Sequence, residues 1–160
     1  MSKRSTPVGA ELFAYVARHT IQEDAFLREL RLAARAEGLP EIHIAPEQAA
    51  FLQILLRAVG AKRVVEVGAL GGYSAIAMAR GLGPDGRVVT LELEPKHARF
   101  AEAWIEKSDQ RGRIEVRLGD ARTTLSTFAD GSIDAVFVDA DKEGYVEYLR
   151  HAMRILRRGG

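Results

Sequence analysis

The sequence predicts an α/β fold in which a parallel sheet is covered by helices on both faces and is preceded by N-terminal helices. Three observations support this prediction. From Arg63 onward, short β-branched runs alternate with segments of helical spacing, a pattern typical of parallel strands joined by right-handed helical crossovers. A cluster of glycines follows the first of these runs. An acidic residue stands at the end of each of four runs.

The composition is that of an ordinary globular protein. Hydrophobic residues make up 47% of the 160 residues, charged residues 28%, and the formal net charge is +1. This balance gives no electrostatic reason to expect nucleic acid or an anionic membrane as a partner. There is no cysteine, no signal peptide is recognised, and no apolar run reaches the ~18 residues that span a bilayer. We therefore expect a cytoplasmic protein of one structural domain.

Three helices are predicted before the first strand. Apolar residues at helical spacing place the first over Leu12–Ala17. Thr20 and Glu23 have the spacing of a capping box, which predicts that the second helix opens there, and Gly38 ends it. The third runs from about 46 to 60.

The alternating part of the chain contains four predicted strands. They cover Val64–Val67, Val88–Leu91, Ile114–Leu118 and Ile133–Val138. The predicted helices cover Tyr73–Leu82, Lys96–Lys107, a short segment after Asp120, and a final segment after Asp139 that carries Tyr145, Leu149 and Ile155. Gly159 and Gly160 follow, and in an α/β chain such a pair usually leads into another strand. We therefore expect a truncated sheet whose last strands are missing.

A glycine-rich turn joins the first strand to the next helix. Gly68, Gly71 and Gly72 let the backbone turn sharply and approach a ligand, and the free N–H groups at the start of the helix favour anionic or polar ligand atoms. In doubly wound sheets, ligands bind outside the carboxyl ends of the strands. The turn therefore predicts a nucleotide-type cofactor, and its spacing does not match the G-x-G-x-x-G of dinucleotide-binding proteins.

The acidic residues at the strand ends favour S-adenosylmethionine as that cofactor. Glu66 stands two residues before the first glycine, where a carboxylate would repel a pyrophosphate but suits a sulfonium and an α-ammonium group. Glu92 ends the second strand, where acids accept hydrogen bonds from ribose hydroxyls. Asp120 and Asp139 end the third and fourth. Acids that only cap helix starts explain any one of these positions but explain all four poorly.

These motifs resemble those of the S-adenosylmethionine-dependent, cation-dependent O-methyltransferases of the caffeoyl-CoA and catechol type. The resemblance rests on Glu66–Ser74, Leu91-Glu92, Gly119–Ala121 and above all Val138–Tyr148, which contains Asp-Ala-Asp-Lys. It covers about residues 42–160 and implies a Rossmann-like class I methyltransferase fold. Residues 41–160 would form the cofactor-binding domain, incomplete at its end. Residues 1–40 would form helices that cover the site and build a homodimer.

The resemblance also implies roles for individual residues. The implied cofactor-binding set is Glu66, Gly68, Ala69, Gly72, Ser74, Glu92, Asp120, Ala121, Asp141 and Tyr148. Core packing explains Tyr148 as well as cofactor contact does, because it shares a helix face with Tyr145 and Leu149. Ala45 stands where the family commonly has serine, so the helix that begins beside it loses a capping hydroxyl.

Two further residues are implied to carry the chemistry. Asp139 would be a ligand of a divalent cation, most simply Mg²⁺, and Lys142 would take the phenol proton. A phenol of pKa near 10 is a poor nucleophile at neutral pH, and a hard cation stabilises the phenolate. The family's Asp-Asn metal pair is absent from these 160 residues, so we expect cofactor to bind better than metal. A solvated lysine paired with Asp139 or Asp141 is the alternative for Lys142.

The leading hypothesis is therefore an O-methyltransferase that acts on a small phenolic or catechol-type substrate. Two alternatives stay open. The glycine turn and Glu92 would also suit an NAD-dependent oxidoreductase, and a truncated methyltransferase-like chain could be a non-catalytic cofactor-binding module. The four histidines His19, His43, His97 and His151 share no metal-ligand spacing and are expected at the surface.

Overall fold

The computed structural model describes residues 9–160. Three helices come first, α1 (Ala10–His19), α2 (Ala25–Ala36) and α3 (Pro46–Ala58). The alternating part follows as β1 (Arg63–Val67), α4 (Tyr73–Gly81), β2 (Arg87–Glu92), α5 (Pro95–Lys107), β3 (Ile114–Leu118), α6 (Ala121–Ser126), β4 (Ala135–Val138), a 3₁₀ helix (Lys142–Gly144) and α7 (Tyr145–Ile155). Residues 1–8 of the predicted N-terminal region lie outside the described residues.

The strands form a parallel sheet in the order β3-β2-β1-β4. Val64 of β1 stands opposite Val88 of β2 on one side and opposite Ala135 of β4 on the other. The chain therefore builds outward from β1 to β3 and then crosses back to place β4 on the opposite side of β1. Such a reversal opens a crevice at the carboxyl ends of β1 and β4, the two strands on either side of it, which is where open α/β sheets bind ligands. The predicted α/β fold is confirmed.

Helices cover both faces of the sheet, and the side chains of β1 point alternately to one face and to the other. Val64 packs in a core cluster with residues of α3 and α4, whereas Val65 and Val67 pack in a cluster with residues of α6 and α7. A buried strand that reads as a continuous β-branched run is typical of a parallel sheet covered on both sides. Glu66 interrupts this run and is fully buried.

The helices before the sheet are joined to it unequally. Leu27 and Leu30 of α2 pack in one cluster with Tyr73 and Ile76 of α4, so α2 shares the core of the sheet domain. No residue of α1 is buried, and Phe13 on its predicted apolar face is exposed. The side chains of α1 therefore add little to the core within residues 9–160. No helix in this part of the chain is long and apolar enough to cross a membrane.

Two predicted boundaries are wrong, and each has a local cause. The predicted capping box at Thr20 and Glu23 does not form, because Asp24 is the N-cap of α2 and accepts a hydrogen bond from the Leu27 amide at 2.8 Å. Strand β4 begins at Ala135 rather than at Ile133, which instead forms an isolated parallel bridge with Leu156.

Candidate active site

A cavity of about 610 Å³ opens at the carboxyl ends of the strands. Its floor is formed by the residues that follow β1, β2, β3 and β4, and its opposite wall by α2 and the connection to α3. Both its volume and its position match those of sites that bind small molecules or cofactors in open α/β sheets. Nine of the predicted site residues line it: Gly68, Ala69, Ser74, Glu92, Asp120, Ala121, Asp139, Asp141 and Tyr148. Glu66, Gly72 and Lys142 do not.

The glycine turn is shaped by contacts that exclude side chains. Gly68 has φ +100°, and a Cβ at this position would lie 2.2 Å from the carbonyl oxygen of Asp139. The loops after β1 and β4 therefore meet backbone to backbone at the base of the cavity. Gly72 has φ +82° and lies against Ala101 of α5, so its contribution is the turn and close helix packing. Leu70 is also left-handed, with φ 48°.

Glu66 is a buried carboxylate with only part of its hydrogen bonding satisfied. Its side chain lies at the end of the central strand with 0% exposure, and its Oε2 accepts a hydrogen bond from the Thr90 hydroxyl at 2.6 Å. Within the part of the chain that the structure describes, its Oε1 has no hydrogen-bond partner. Burial raises the pKa of Glu66 to about 7, although the hydroxyls of Ser74 and Thr90 oppose that rise. A cation brought to this position would favour the ionised carboxylate.

Glu92 is held rigidly by the backbone around it. Its Oε2 accepts from the Leu70 amide at 2.7 Å, and its Oε1 accepts from the amides of Leu93 and Glu94 at 2.9 Å each. These bonds tie the end of β2 to the glycine turn and explain why Leu70 adopts its left-handed conformation. The carboxylate remains at the cavity wall, where its free lone pairs can accept from a ligand hydroxyl.

Asp120 caps a helix, which is the alternative explanation for the acids at the strand ends. It is the N-cap of α6, accepts from the Arg122 amide at 2.8 Å, and forms an ion pair with the Arg122 guanidinium at 2.6 Å. The hydrogen bond from Arg122 holds the pKa of Asp120 below its usual range. Asp120, Ala121 and Arg122 all line the cavity, so capping does not remove this acid from the site.

Tyr148 packs in the core and also lines the cavity, so core packing is confirmed and cofactor contact stays a prediction. Its ring packs with Val65 and Leu125 in the core, and its hydroxyl donates to Asp141 Oδ1 at 2.6 Å. Burial and this hydrogen bond raise the pKa of Tyr148 to about 12. Asp141 also accepts from the Gly144 amide at 2.7 Å, and the hydrogen bond from Tyr148 lowers its pKa. The pair therefore fixes the loop after β4 against α7.

The residues predicted for chemistry are more open. Asp139 and Lys142 are both exposed, and of the two only Asp139 lines the cavity. Within residues 9–160, no group of three or more His, Cys, Asp or Glu side chains is arranged to hold a metal ion. Asp139 therefore offers a single carboxylate to a cation.

Two histidines that were expected at the surface line the cavity instead. His97 lies in the first turn of α5, and its Nδ1 is 3.8 Å from Glu92 Oε1. Its place just after a strand end is a signal that sequence reasoning could have used. His43 lies in the connection between α2 and α3, with its ring centroid 5.7 Å from that of Tyr73. Burial and the charge of Arg31 lower the pKa of His43.

Comparison with protein families and curated proteins gives one consistent result. A family model described as O-methyltransferase matches residues 17–160. A catechol O-methyltransferase of Mycobacterium tuberculosis (strain ATCC 25618 / H37Rv) is 42% identical over 159 residues, which are 99% of this chain and 72% of that protein. A catechol O-methyltransferase of Niastella koreensis is 40% identical over 86% of this chain, which spans only 63% of that protein's length.

Solved structures agree with these relatives. An O-methyltransferase from Bacillus cereus in complex with SAH has a TM-score of 0.83 and 39% identity, over 90% of this chain and 67% of that one. Cofactor-bound Rv0187 from MTB has a TM-score of 0.86 and 42% identity, over 96% of this chain and 70% of that one. TomG from Streptomyces achromogenes in complex with SAM has a TM-score of 0.84 and 33% identity, over 92% of this chain and 67% of that one. The resemblance drawn from the sequence motifs, and the Rossmann-like methyltransferase fold that it implies, are confirmed.

Proposed function

The chain belongs to the O-methyltransferase family, and we propose that it transfers the methyl group of S-adenosylmethionine to a phenolic hydroxyl of a small catechol-type molecule. The observation that carries this proposal is the set of acids at the strand ends: Glu92 and Asp139 line the cavity, and Glu66 is buried behind its wall, two residues before Gly68, with one carboxylate oxygen unpartnered within residues 9–160. A cationic ligand in the cavity would favour the ionised form of the buried carboxylate and of the two acids that line the cavity. S-adenosylmethionine brings two positive groups, a sulfonium and an α-ammonium.

The neighbouring residues suit the rest of that cofactor. Gly68 and Ala69 let the ligand approach the backbone, and Glu92 stands at the second strand end, where an acid can accept from ribose hydroxyls. Asp120 and Ala121 line the part of the cavity beyond β3, where an adenine edge would meet them. Leu30 and Ala34 of α2 give the cavity an apolar wall, and exclusion of water by this wall would favour a reaction in which a phenolate and a sulfonium become neutral products.

A divalent cation is the second part of the proposal. Asp139 is exposed and lines the cavity, so its carboxylate is available as one ligand. Residues 9–160 supply no complete ligand set, so the remaining ligands would be water, the acceptor's oxygens or groups outside the described residues. When bound, such a cation would favour the ionised form of the acceptor phenol. Mg²⁺ suits this arrangement because it retains several waters in protein sites.

The acceptor proton needs a base, and we propose Lys142 for this role on the strength of the family resemblance. Lys142 is exposed and does not line the cavity, whereas His43 does. Because its pKa is lowered, His43 is neutral at pH 7 and can accept a proton. The two bases are distinguished by the variants Lys142→Met and His43→Phe, since a general base acts only when deprotonated and only loss of the true base removes the fall in rate at low pH.

The alternatives weigh less. Membership of this family and the absence of G-x-G-x-x-G leave the NAD-dependent oxidoreductase without support. A non-catalytic cofactor-binding module is the other outcome of the activity test. A homodimer also remains our proposal, and light scattering after size-exclusion chromatography measures it directly.

Methyl transfer from labelled S-adenosylmethionine to catechol tests the proposed function. We expect labelled methoxyphenol in the presence of Mg²⁺, and loss of product with EDTA or in Asp139→Ala. Product that persists in EDTA would contradict the cation. Binding of cofactor with no transfer to catechol or to caffeoyl-type phenols would favour the non-catalytic module.

A further inference from the structure

Helix α2 forms the roof of the cavity. Leu30 and Ala34 of this helix line the cavity, as do Ile42 and Ile44 of the connection that follows it. Leu30 also packs in the core with Tyr73 of α4. A shift of α2 would therefore open the cavity to water on the side that faces the glycine turn.

The start of α2 is attached to the start of α4 by a partly buried hydrogen-bond network. The hydroxyl of Tyr73 donates to Glu23 Oε1 at 3.1 Å. The guanidinium of Arg31 donates to both oxygens of the same carboxylate, at 3.1 and 3.0 Å. Because Tyr73 is buried and the Glu23 side chain is only 10% exposed, water competes little for the bond between them, whereas the Arg31 side chain is 38% exposed.

The ionisation states of this network keep it intact near neutral pH. Burial would raise the pKa of Glu23, but hydrogen bonds from Arg31 and Tyr73 hold it below its usual range. Burial and the charge of Glu23 raise the pKa of Tyr73. Tyr73 therefore remains a donor and Glu23 a charged acceptor.

The same tyrosine belongs to the cofactor loop. Tyr73 is the first residue of α4, between Gly72 of the turn and Ser74, which lines the cavity. The Ser74 hydroxyl is one of two groups that lower the pKa of Glu66. A displacement of Tyr73 would thus move a group that acts directly on the buried carboxylate.

A second attachment holds the other end of α2. The Lys96 ammonium, in the first turn of α5, donates to the carbonyl of Glu37, the C-cap of α2. This contact is exposed, so it contributes less than the buried one. The helix is therefore attached at both ends to elements that begin at the cavity.

We propose that Glu23 and Tyr73 are positioning residues for the cofactor, whose hydrogen bond fixes the α2 roof and the Ser74 end of the glycine turn together. This inference rests on the proposed function, because it takes S-adenosylmethionine as the ligand of the cavity. Neither residue touches the reacting atoms. Cofactor bound in the cavity would in turn stabilise α2, since the roof and the loop are coupled.

Calorimetric titration of S-adenosylhomocysteine into the wild-type chain and into Tyr73→Phe, Glu23→Gln and the double variant tests this proposal. We expect each single variant to raise Kd about fivefold or more, the lower range of typical couplings. The double variant should bind no more weakly than the weaker single variant, because both remove one interaction. Hydrogen exchange should show that the ligand protects α2 amides in the wild type and protects them much less in Tyr73→Phe.

Asp134→Asn is the matched control. The Asp134 side chain is 9% exposed and, like Glu23, forms an ion pair with arginine, here Arg157, but it lies at the amino end of β4 and does not line the cavity. We expect it to lower Tm comparably while leaving Kd unchanged. Variants of Glu23 and Tyr73 that lower Tm but leave Kd and α2 protection at wild-type values would overturn the proposal. A wild-type chain that binds no S-adenosylhomocysteine would overturn the proposed function as well.

Discussion

The hydroxyl of Thr90 donates to Glu66 Oε2 at 2.6 Å from the neighbouring strand, and among residues 9–160 the other oxygen of that carboxylate has no hydrogen-bond partner. In a fully buried residue this half-satisfied arrangement opposes folding, because an ionised carboxylate without enough donors is costly away from water. This unfavourable contribution to folding comes from Glu66, which stands two residues before Gly68, the first glycine of the turn. A site that must attract a positive ligand is a physical reason to retain it.

The first prediction concerns stability against pH. The raised pKa of Glu66, about 7, means that the folded chain holds a proton between about pH 4.5 and 7 that the unfolded chain has released. Glu66 therefore destabilises the fold increasingly as pH rises through this window, and its contribution levels off above it. Glu66→Gln, which cannot ionise, should gain on the order of 2 kcal/mol relative to wild type between pH 5 and pH 8. Urea unfolding of both proteins at pH 5 and pH 8 measures this gain. A difference in the free energy of unfolding between variant and wild type that is the same at both pH values would contradict the raised pKa.

The second prediction concerns the turn at Gly68. A Cβ there would meet the Asp139 carbonyl oxygen at 2.2 Å, and the backbone is left-handed. Gly68→Ala should cost about 3 kcal/mol or more and weaken cofactor binding, because the loops after β1 and β4 must separate. Gly60→Ala is the control, since Gly60 is also left-handed but a Cβ there would meet no atom of residues 9–160 within 4 Å. It should cost only the backbone strain, about 1–2 kcal/mol. If thermal unfolding showed that the two variants lose the same stability, the contact with the Asp139 carbonyl would not be the cause of the loss at Gly68.

The third prediction concerns Glu92. Its two oxygens accept three backbone N–H groups, and a glutamine has only one oxygen with which to accept them. Glu92→Gln should therefore lower both stability, by about 1–3 kcal/mol, and the affinity for S-adenosylhomocysteine. Glu115→Gln, which alters a carboxylate bonded to Arg117, is expected to stay within about 0.5 kcal/mol of wild type. If Glu92→Gln lost affinity but kept the stability of the wild type, Glu92 would act on the ligand alone and the predicted role in holding the backbone would be contradicted.

The fourth prediction is a gain in stability at Ala45. This residue is the N-cap of α3 and has no side-chain acceptor, while Gln48 already accepts from its amide at 2.8 Å. Ala45→Ser would complete the reciprocal capping box and should add about 1 kcal/mol. Ala45→Gly provides the comparison, because it changes the residue without supplying a hydroxyl. A serine variant no more stable than the glycine variant would contradict this explanation.

The strands could be predicted closely because burial on both faces leaves a clear β-branched signature. Strand β3 matches its predicted bounds, and β1 and β2 each extend beyond theirs by one residue at one or both ends. The glycine turn was also evident, since close backbone approach leaves few residues other than glycine. Asp134 shows the limit of such reasoning. It lies within the predicted fourth strand, but its carboxylate accepts from the amides of Lys62 and Arg63, and the regular part of β4 begins only at the next residue.

Side chains that meet across distant parts of the chain could not be predicted. Glu23 was assigned to a local capping box, but it bonds to Tyr73, which lies fifty residues further along the sequence. His43 was placed at the surface because its spacing carries no ligand pattern, and only the packing of α2 brings it to the cavity. Periodicity reports which face of an element is buried but does not report which partner covers that face.

The most direct test of the cofactor assignment is calorimetric titration of S-adenosylhomocysteine into the folded 160-residue chain, with NADH as competitor. We predict saturable binding at one site per chain that NADH does not disturb and that Gly68→Ala weakens. A chain shown by circular dichroism to be folded that binds no S-adenosylhomocysteine, or from which NADH displaces it, would contradict the assignment of the cavity to the methyl donor.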